Sequence, residues 1–230
     1  AKIRVMRIIA RMNIGGPAVQ VSGLMRGFDQ DRFEQKLFTG YCAGDEADYL
    51  ELIAPDIPVT RIEGLGRSIK AKDDLLVLFR LIKEIRAFKP NYVHTHTAKA
   101  GLLGRLAAIL SFSNAKLVHT YHGHVLSGYF NPLIEGAVKR IEILLSFITD
   151  YFLVSGEQVL NDISKARIIR GEKALQIWPA VPDLKVGERK ALRLNFDISD
   201  NKLVVGWLGR KVPIKRVDRI LELAGRNPEI

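Results

Sequence analysis

The chain has 230 residues, 47% hydrophobic and 26% charged, with a formal net charge of +10, the composition of a globular protein with enough apolar material for a full core. Charged residues interrupt every long apolar run, including 141–154 with Glu142 and Asp150, which excludes a membrane-spanning helix. A single cysteine, Cys42, can form neither an internal disulfide nor a thiolate metal cluster, and the first ten residues lack the continuous apolar segment of a secretory signal. These features point to the cytoplasm. The positive charge suits a polyanion, an anionic membrane or a phosphate-bearing small substrate; the basic residues are interleaved with acids and form no zinc-finger, RNP-like or basic-zipper pattern, so nucleic acid is not the expected partner.

In chain order, an alternating β-prone run over 3–9 meets the loop Asn13-Ile14-Gly15-Gly16-Pro17 and then an apolar-periodic helix over 19–28. Pro17 suits a first helical turn, where its missing N–H costs nothing. Strands follow over 33–41 and 59–62. The spacing of Leu75, Leu76, Leu78, Phe79, Leu81, Ile82, Ile85 and Phe88 predicts a helix over 72–88 with a broad buried face, ended by Pro90. Then come a strand over 92–96, a helix over 101–110, a strand over 116–121, a helix over 132–147, a strand over 151–154, a helix over 157–163 and a short strand over 175–178. This alternation predicts an α/β fold, a Rossmann-like doubly wound parallel sheet with helices on both faces. The segment Pro179-Ala180-Val181-Pro182-Asp183 reads as a linker. Beyond it we expect a helix over 188–195, a strand over 203–208, a loop over 209–215 and a helix over 217–224. One strand and its helix cannot bury their own apolar faces, so the expected organisation is a domain over 1–180 and the truncated start of a second Rossmann-like domain over 181–230.

In an open parallel sheet, ligands bind beyond the carboxyl ends of the strands, at the point where strand order reverses. Gly15 and Gly16 lie at the first strand's exit, His96-Thr97-Ala98-Lys99 at the fourth, Tyr121-His122-Gly123-His124 at the fifth and Ser155-Gly156-Glu157 at the sixth. The glycine pair fits either a tight turn or close approach of a ligand. All five histidines fall in 94–124. His94 and His96 share a strand face, the geometry of two metal ligands as well as of strand-capping imidazoles; no carboxylate accompanies them, so no metal is expected. His119 lies inside a strand and reads as structural, whereas His122, just past a strand end and beside a glycine, is placed to hold a substrate hydroxyl. The loop Gly209-Arg210-Lys211-Val212-Pro213-Ile214-Lys215 ends at a helix N-terminus, where backbone amides, the helix dipole, Arg210 and Lys215 could clamp a diphosphate. Such fixed cations stabilise charge growing on a departing phosphate without magnesium.

Taken together, the Gly15-Gly16 loop, Val93-His94-Thr95-His96-Thr97-Ala98-Lys99-Ala100-Gly101, His119-Thr120-Tyr121-His122-Gly123-His124, Phe152-Leu153-Val154-Ser155 and the stretch Gly209 to Asp218 make the chain resemble the retaining glycosyltransferases of family 4, which have the two-domain GT-B fold. The resemblance implies transfer of a sugar from a UDP- or GDP-linked donor to a saccharide or lipid-linked acceptor in cell-surface polysaccharide or glycolipid assembly, with no metal or other cofactor. It implies a donor diphosphate held by Arg210 and Lys215 and approached by Gly15 and Gly16, His122 as the catalytic-site residue near the transferred sugar, and acceptor contacts from His96 and Lys99, Lys99 reading equally as a solvent-facing helix-start residue. It places most nucleotide contacts, including a pair of glutamates eight apart, in a region this chain lacks, so a partner-dependent acceptor-binding or docking domain is the alternative; a histidine-bound metal hydrolase is the third. No dedicated covalent nucleophile is evident, and a front-face displacement assisted by the leaving phosphate is the expected mechanism. The basic helix near 70–89 suggests peripheral contact with an anionic membrane at its inner face, although Asp73, Asp74 and Glu84 also fit a solvated amphipathic surface.

Overall fold

Seven short runs, six of them carrying β-branched or aromatic residues, become strands of one parallel sheet in the computed structural model, which describes residues 1–66, 68–123, 132–169, 173–179, 187, 189–209 and 216–227. The chain divides into two compact units, Ala1–Pro182 and Asp183–Ile230. In the first unit the elements run β1 (Ile3–Ile9), α1 (Gly16–Gly27), β2 (Phe33–Thr39), α2 (Tyr49–Leu52), β3 (Val59–Arg61), α3 (Ala71–Phe88), β4 (Tyr92–His96), α4 (Ala98–Leu110), β5 (Lys116–Tyr121), α5 (Pro132–Ile148), β6 (Tyr151–Val154), α6 (Glu157–Lys165) and β7 (Ala174–Gln176). The sheet order is β3-β2-β1-β4-β5-β6-β7, so the direction of winding reverses between β1 and β4. Two helices start three residues earlier than the periodicity predicts, α1 at Gly16 and α4 at Ala98, because their first turns are glycine, proline and alanine and carry no apolar rhythm. The four-residue α2 went unseen because it is too short for a period; Asp48 caps it, accepting the Leu50 N–H at 2.9 Å.

Reversal of winding decides which face each helix covers. Right-handed crossovers put α1 and α2 on one face and α3, α4 and α6 on the other. Ala18, Val21 and Met25 of α1 pack with Tyr49, Leu50, Ile9 and Leu37. On the opposite face Val77, Leu81, Ile85 and Phe88 of α3 and Ala100, Leu103 and Ala107 of α4 pack against Met6, Ile8 and Phe38, and Val159 and Ile163 of α6 against Tyr121, Phe152 and Val154. The buried stripe of α3 is narrower than its sequence suggests. Leu75, Leu76 and Phe79 stay exposed, because a helix on the outer side of a sheet buries only the residues that recur on its inward edge.

α4 sits unusually close to the sheet. A Cβ on Gly104 would come within 2.7 Å of Thr95 Cγ2, and one on Gly101 within 2.6 Å of the His119 ring. The helix is then locked from behind by a buried ion pair. Arg105 Nη2 reaches both Glu142 oxygens of α5 at 2.9 and 2.8 Å, and the Tyr121 hydroxyl donates to Glu142 Oε2 at 2.7 Å. Arg105 is also held to Gly101 O at 2.7 Å, so α4, β5 and α5 share one satisfied polar contact in an otherwise apolar layer. Burial and the neighbouring carboxylate push the Tyr121 phenol well above its ordinary range, which keeps it a donor.

In the second unit the described residues form α7 (Arg189–Asn195) and α8 (Val217–Arg226). The strand expected over 203–208 does not form: these residues are extended without ladder partners, and Leu203, Val204, Val205 and Leu208 are exposed. A strand exists only through hydrogen bonds to a neighbour, and among the described residues of this unit there is no second strand to supply them. α8 likewise buries none of its residues.

Candidate functional site

The exits of β1, β4 and β5 converge at the reversal of winding, and the side chains there follow from strand register. Arg7 is level with His94 and Ile9 with His96 across the β1–β4 pair; His94 is level with Val118 and His96 with Thr120 across β4–β5. Side chains level in a parallel sheet share a face, so Arg7, His94, His96 and Thr120 lie on the α1 side, and His122, two residues beyond Thr120, continues their row.

The row is a chain of direct contacts. Arg7 Nη1 lies 2.7 Å from His94 Nδ1, and His94 Nε2 lies 2.7 Å from Thr120 Oγ1. The His94 and His96 rings touch with centroids 4.1 Å apart and planes tilted by 38°, and His96 Nδ1 meets His122 Nε2 at 2.9 Å. Arg7 is 1% exposed, and no carboxylate pairs with it among the described residues. Its remaining partners are Gln35 Oε1, at 3.2 Å from Nε and 3.0 Å from Nη2, and the Phe28 ring at 4.7 Å. Burial lowers the Arg7 guanidinium to about 10, still well above neutrality, so it stays a cation.

That fixed charge and the dry surroundings keep the imidazoles neutral. His94 is driven well below its ordinary range by burial and then by the charge of Arg7; His96 by burial and then by the neighbouring rings and Arg7. His122, half-buried at the strand exit, falls to about 4 through burial. His119, on the opposite face, is lowered by burial and by Arg105 and bonds Thr95 Oγ1 at 2.8 Å, a packing role. Both nitrogens of His94 are engaged, by Arg7 and by Thr120, so His94 offers no free nitrogen for the metal-ligand geometry considered for His94 and His96.

The glycine loop is open. Neither Gly15 nor Gly16 has a left-handed backbone, a Cβ on Gly15 would make only ordinary contacts and one on Gly16 would meet nothing within 4 Å. Packing therefore does not require glycine here, and the space over the α1 N-terminus remains available to a ligand. Thr97, between His96 and α4, has φ 68 and ψ 156, a strained state for a β-branched residue; its hydroxyl lies 3.3 Å from Ala10 N at the β1 exit.

Lys99 does not reach outward. Its ammonium is 2.6 Å from Asp74 Oδ1 and bonds Gly64 O at 2.7 Å and Ser68 O at 2.5 Å, with the side chain 10% exposed, so its donors staple the β3–α3 connection to α4. His96 is fully buried and meets the exit only through His122. Arg210, Lys215, His124 and linker residues 180–183 lie outside the described residues. Sequence reasoning missed Arg7 and the Arg105–Glu142 pair. Arg7 carried one signal, a cation flanked by Val5, Met6, Ile8 and Ile9 in a strand that this topology buries on both faces.

The sequence matches the model of Glycosyltransferase Family 4 over residues 14–182. It is 31% identical over 107 residues to the Escherichia coli UDP-Gal:alpha-D-GlcNAc-diphosphoundecaprenol alpha-1,3-galactosyltransferase, covering 46% of this chain and 27% of that protein. The fold is similar to that of Anabaena Alr3699/HepE, solved in complex with UDP, with a TM-score of 0.74 at 16% identity over 99% of this chain and 59% of that one. It is also similar to a putative UDP-N-acetylglucosamine 2-epimerase from Listeria monocytogenes, with a TM-score of 0.55 at 16% identity over 72% of this chain and 42% of that one. The chain thus spans well under two thirds of the length of these proteins.

A row of histidines kept neutral by burial has a consequence for stability. Their folded values lie below the unfolded value of about 6.5, so the unfolded chain binds protons first and stability falls as pH drops below about 6.5. Between pH 7.5 and 5.5 the expected loss is on the order of 1 kcal/mol for each of the buried rings. Urea unfolding at the two pH values measures it, and a midpoint that does not move would contradict the neutral assignment.

Proposed function

We propose, from the premise that this chain belongs to Glycosyltransferase Family 4, that it carries the acceptor side and the beginning of the donor side of an enzyme moving a sugar from a nucleotide donor to a saccharide or lipid-linked acceptor. The observation that carries the reading is the placement, at strand exits on either side of β4 where the winding reverses, of an open glycine loop at the α1 N-terminus and a half-buried histidine after β5. In this reading Gly15 and Gly16 let the donor diphosphate approach, and Arg210 and Lys215 neutralise the charge that grows on it as the bond to the sugar breaks. His122 positions the transferred sugar. UDP is favoured over GDP because the galactosyltransferase relative uses a UDP sugar and the Anabaena structure holds UDP. Retention of configuration, by front-face displacement with the leaving phosphate as base, and a role in cell-surface polysaccharide or glycolipid assembly belong to the same proposal. With its ammonium engaged, Lys99 serves the acceptor by shaping the 64–68 loop.

A non-catalytic docking role is favoured by a separate observation, the exposure of Leu203, Leu208, Leu221 and Leu223 in the second unit. Calorimetry with UDP and with GDP, without metal, separates the two readings. Transfer chemistry predicts UDP binding that weakens at least about tenfold in the Arg210→Ala/Lys215→Ala variant; binding of neither nucleotide would favour docking.

The proposed site of action is the cytoplasmic face of an anionic membrane. The outer side of α3 supports it, where Leu75, Leu76 and Phe79 are exposed on a helix that also carries Lys72, Arg80, Lys83 and Arg86. Sedimentation with phosphatidylglycerol vesicles is expected, with release by Leu76→Glu/Phe79→Glu; equal sedimentation with neutral phosphatidylcholine vesicles, or no effect of the substitutions, would refute this placement.

A further inference from the structure

The hydrogen positions along the histidine row can be worked out from its one unambiguous member. A guanidinium has donors only, so Arg7 Nη1 at 2.7 Å requires His94 Nδ1 to be a bare acceptor. Neutral His94 then carries its hydrogen on Nε2 and donates it to Thr120 Oγ1 at 2.7 Å. Both nitrogens of His94 are fixed, and the neighbouring His96 ring, 4.1 Å away between centroids, remains neutral in its buried position.

Between His96 Nδ1 and His122 Nε2, 2.9 Å apart, one ring must donate and the other accept. His96 Nε2 decides which. Among the described residues it is buried without a hydrogen-bond partner, so it is either an orphaned donor or an orphaned acceptor. A buried N–H without an acceptor is the rarer and costlier case. The hydrogen of His96 therefore sits on Nδ1 and is donated to His122 Nε2, and neutral His122 must carry its own hydrogen on Nδ1.

We infer that His122 meets its ligand as a hydrogen-bond donor through Nδ1–H and not as a base, with its tautomer set from inside the sheet by His96, and with Arg7 and His94 as positioning residues. The ring thus fits an oxygen lone pair arriving at the β5 exit, such as that of a sugar hydroxyl, and selects against a ligand that presents a donor there. The identity of that oxygen rests on the glycosyl-transfer reading; the tautomers do not.

Nitrogen-15 labelling of the histidine rings, read by long-range proton–nitrogen correlation on the 230-residue protein at pH 7, tests this directly. Five histidines give five ring patterns, and His122→Asn assigns the one that matters. The expected result is a hydrogen on Nδ1 in His96 and His122 and on Nε2 in His94. Finding His122 with its hydrogen on Nε2, or charged, would overturn the inference. Arg7→Met should release His94 into a mixture of tautomers while Arg7→Lys, another pure donor, restores the single form; a His94 pattern identical in all three proteins would remove Arg7 from the positioning role. Loss of UDP binding with the tautomers intact would instead count against the glycosyl-transfer reading alone.

Discussion

A guanidinium sealed inside a parallel sheet, with no carboxylate against it among the described residues, is the constraint around which this protein is arranged. Removing a charge from water costs several kcal/mol unless its hydrogen bonds are replaced, and here the replacements are an amide oxygen from Gln35, the face of Phe28 and the bare nitrogen of His94. Each is supplied by a different element: β2, the residue following α1, and β4. The charge can persist only while those elements stay in register. It also adds to the burial that keeps His94 and His96 neutral, and His122 at the β5 exit ends the row through its contact with His96.

The opposite face solves a similar problem differently. Arg105 is also fully buried, but Glu142 neutralises it, Gly101 O and Thr149 Oγ1 accept from its other nitrogens, and Gly101 and Gly104 let α4 come close enough for the pair to form. One side of the sheet is thus cemented by a compensated ion pair, and the other carries a polar row that reaches the β5 exit.

The strands were legible in the sequence because short runs rich in β-branched and apolar residues, such as 3–9, recur between helical periods. The placement of glycine and histidine residues at strand exits was legible in the same way. What escaped depended on distant partners. Nothing near Lys99 announces that its ammonium turns inward to Asp74, Gly64 and Ser68. Nothing near Arg7 names Gln35 or His94. Residues 203–208 have strand composition, yet a strand is a property of two segments and the local sequence reports only one. Nor does the fold choose the chemistry: an epimerase and a UDP-binding protein share it, so the functional argument rests on the side chains at the exits.

The central claim is that the His122 ring touches the sugar being transferred. Its most direct test is calorimetric titration of the protein with UDP and with a UDP-hexose, for the wild type against His122→Ala with its fold verified by circular dichroism. The account predicts that the wild type binds the UDP-hexose more tightly than UDP and that His122→Ala loses about tenfold on the UDP-hexose alone, the usual effect of deleting one buried hydrogen bond. Equal affinities in the two proteins would contradict it.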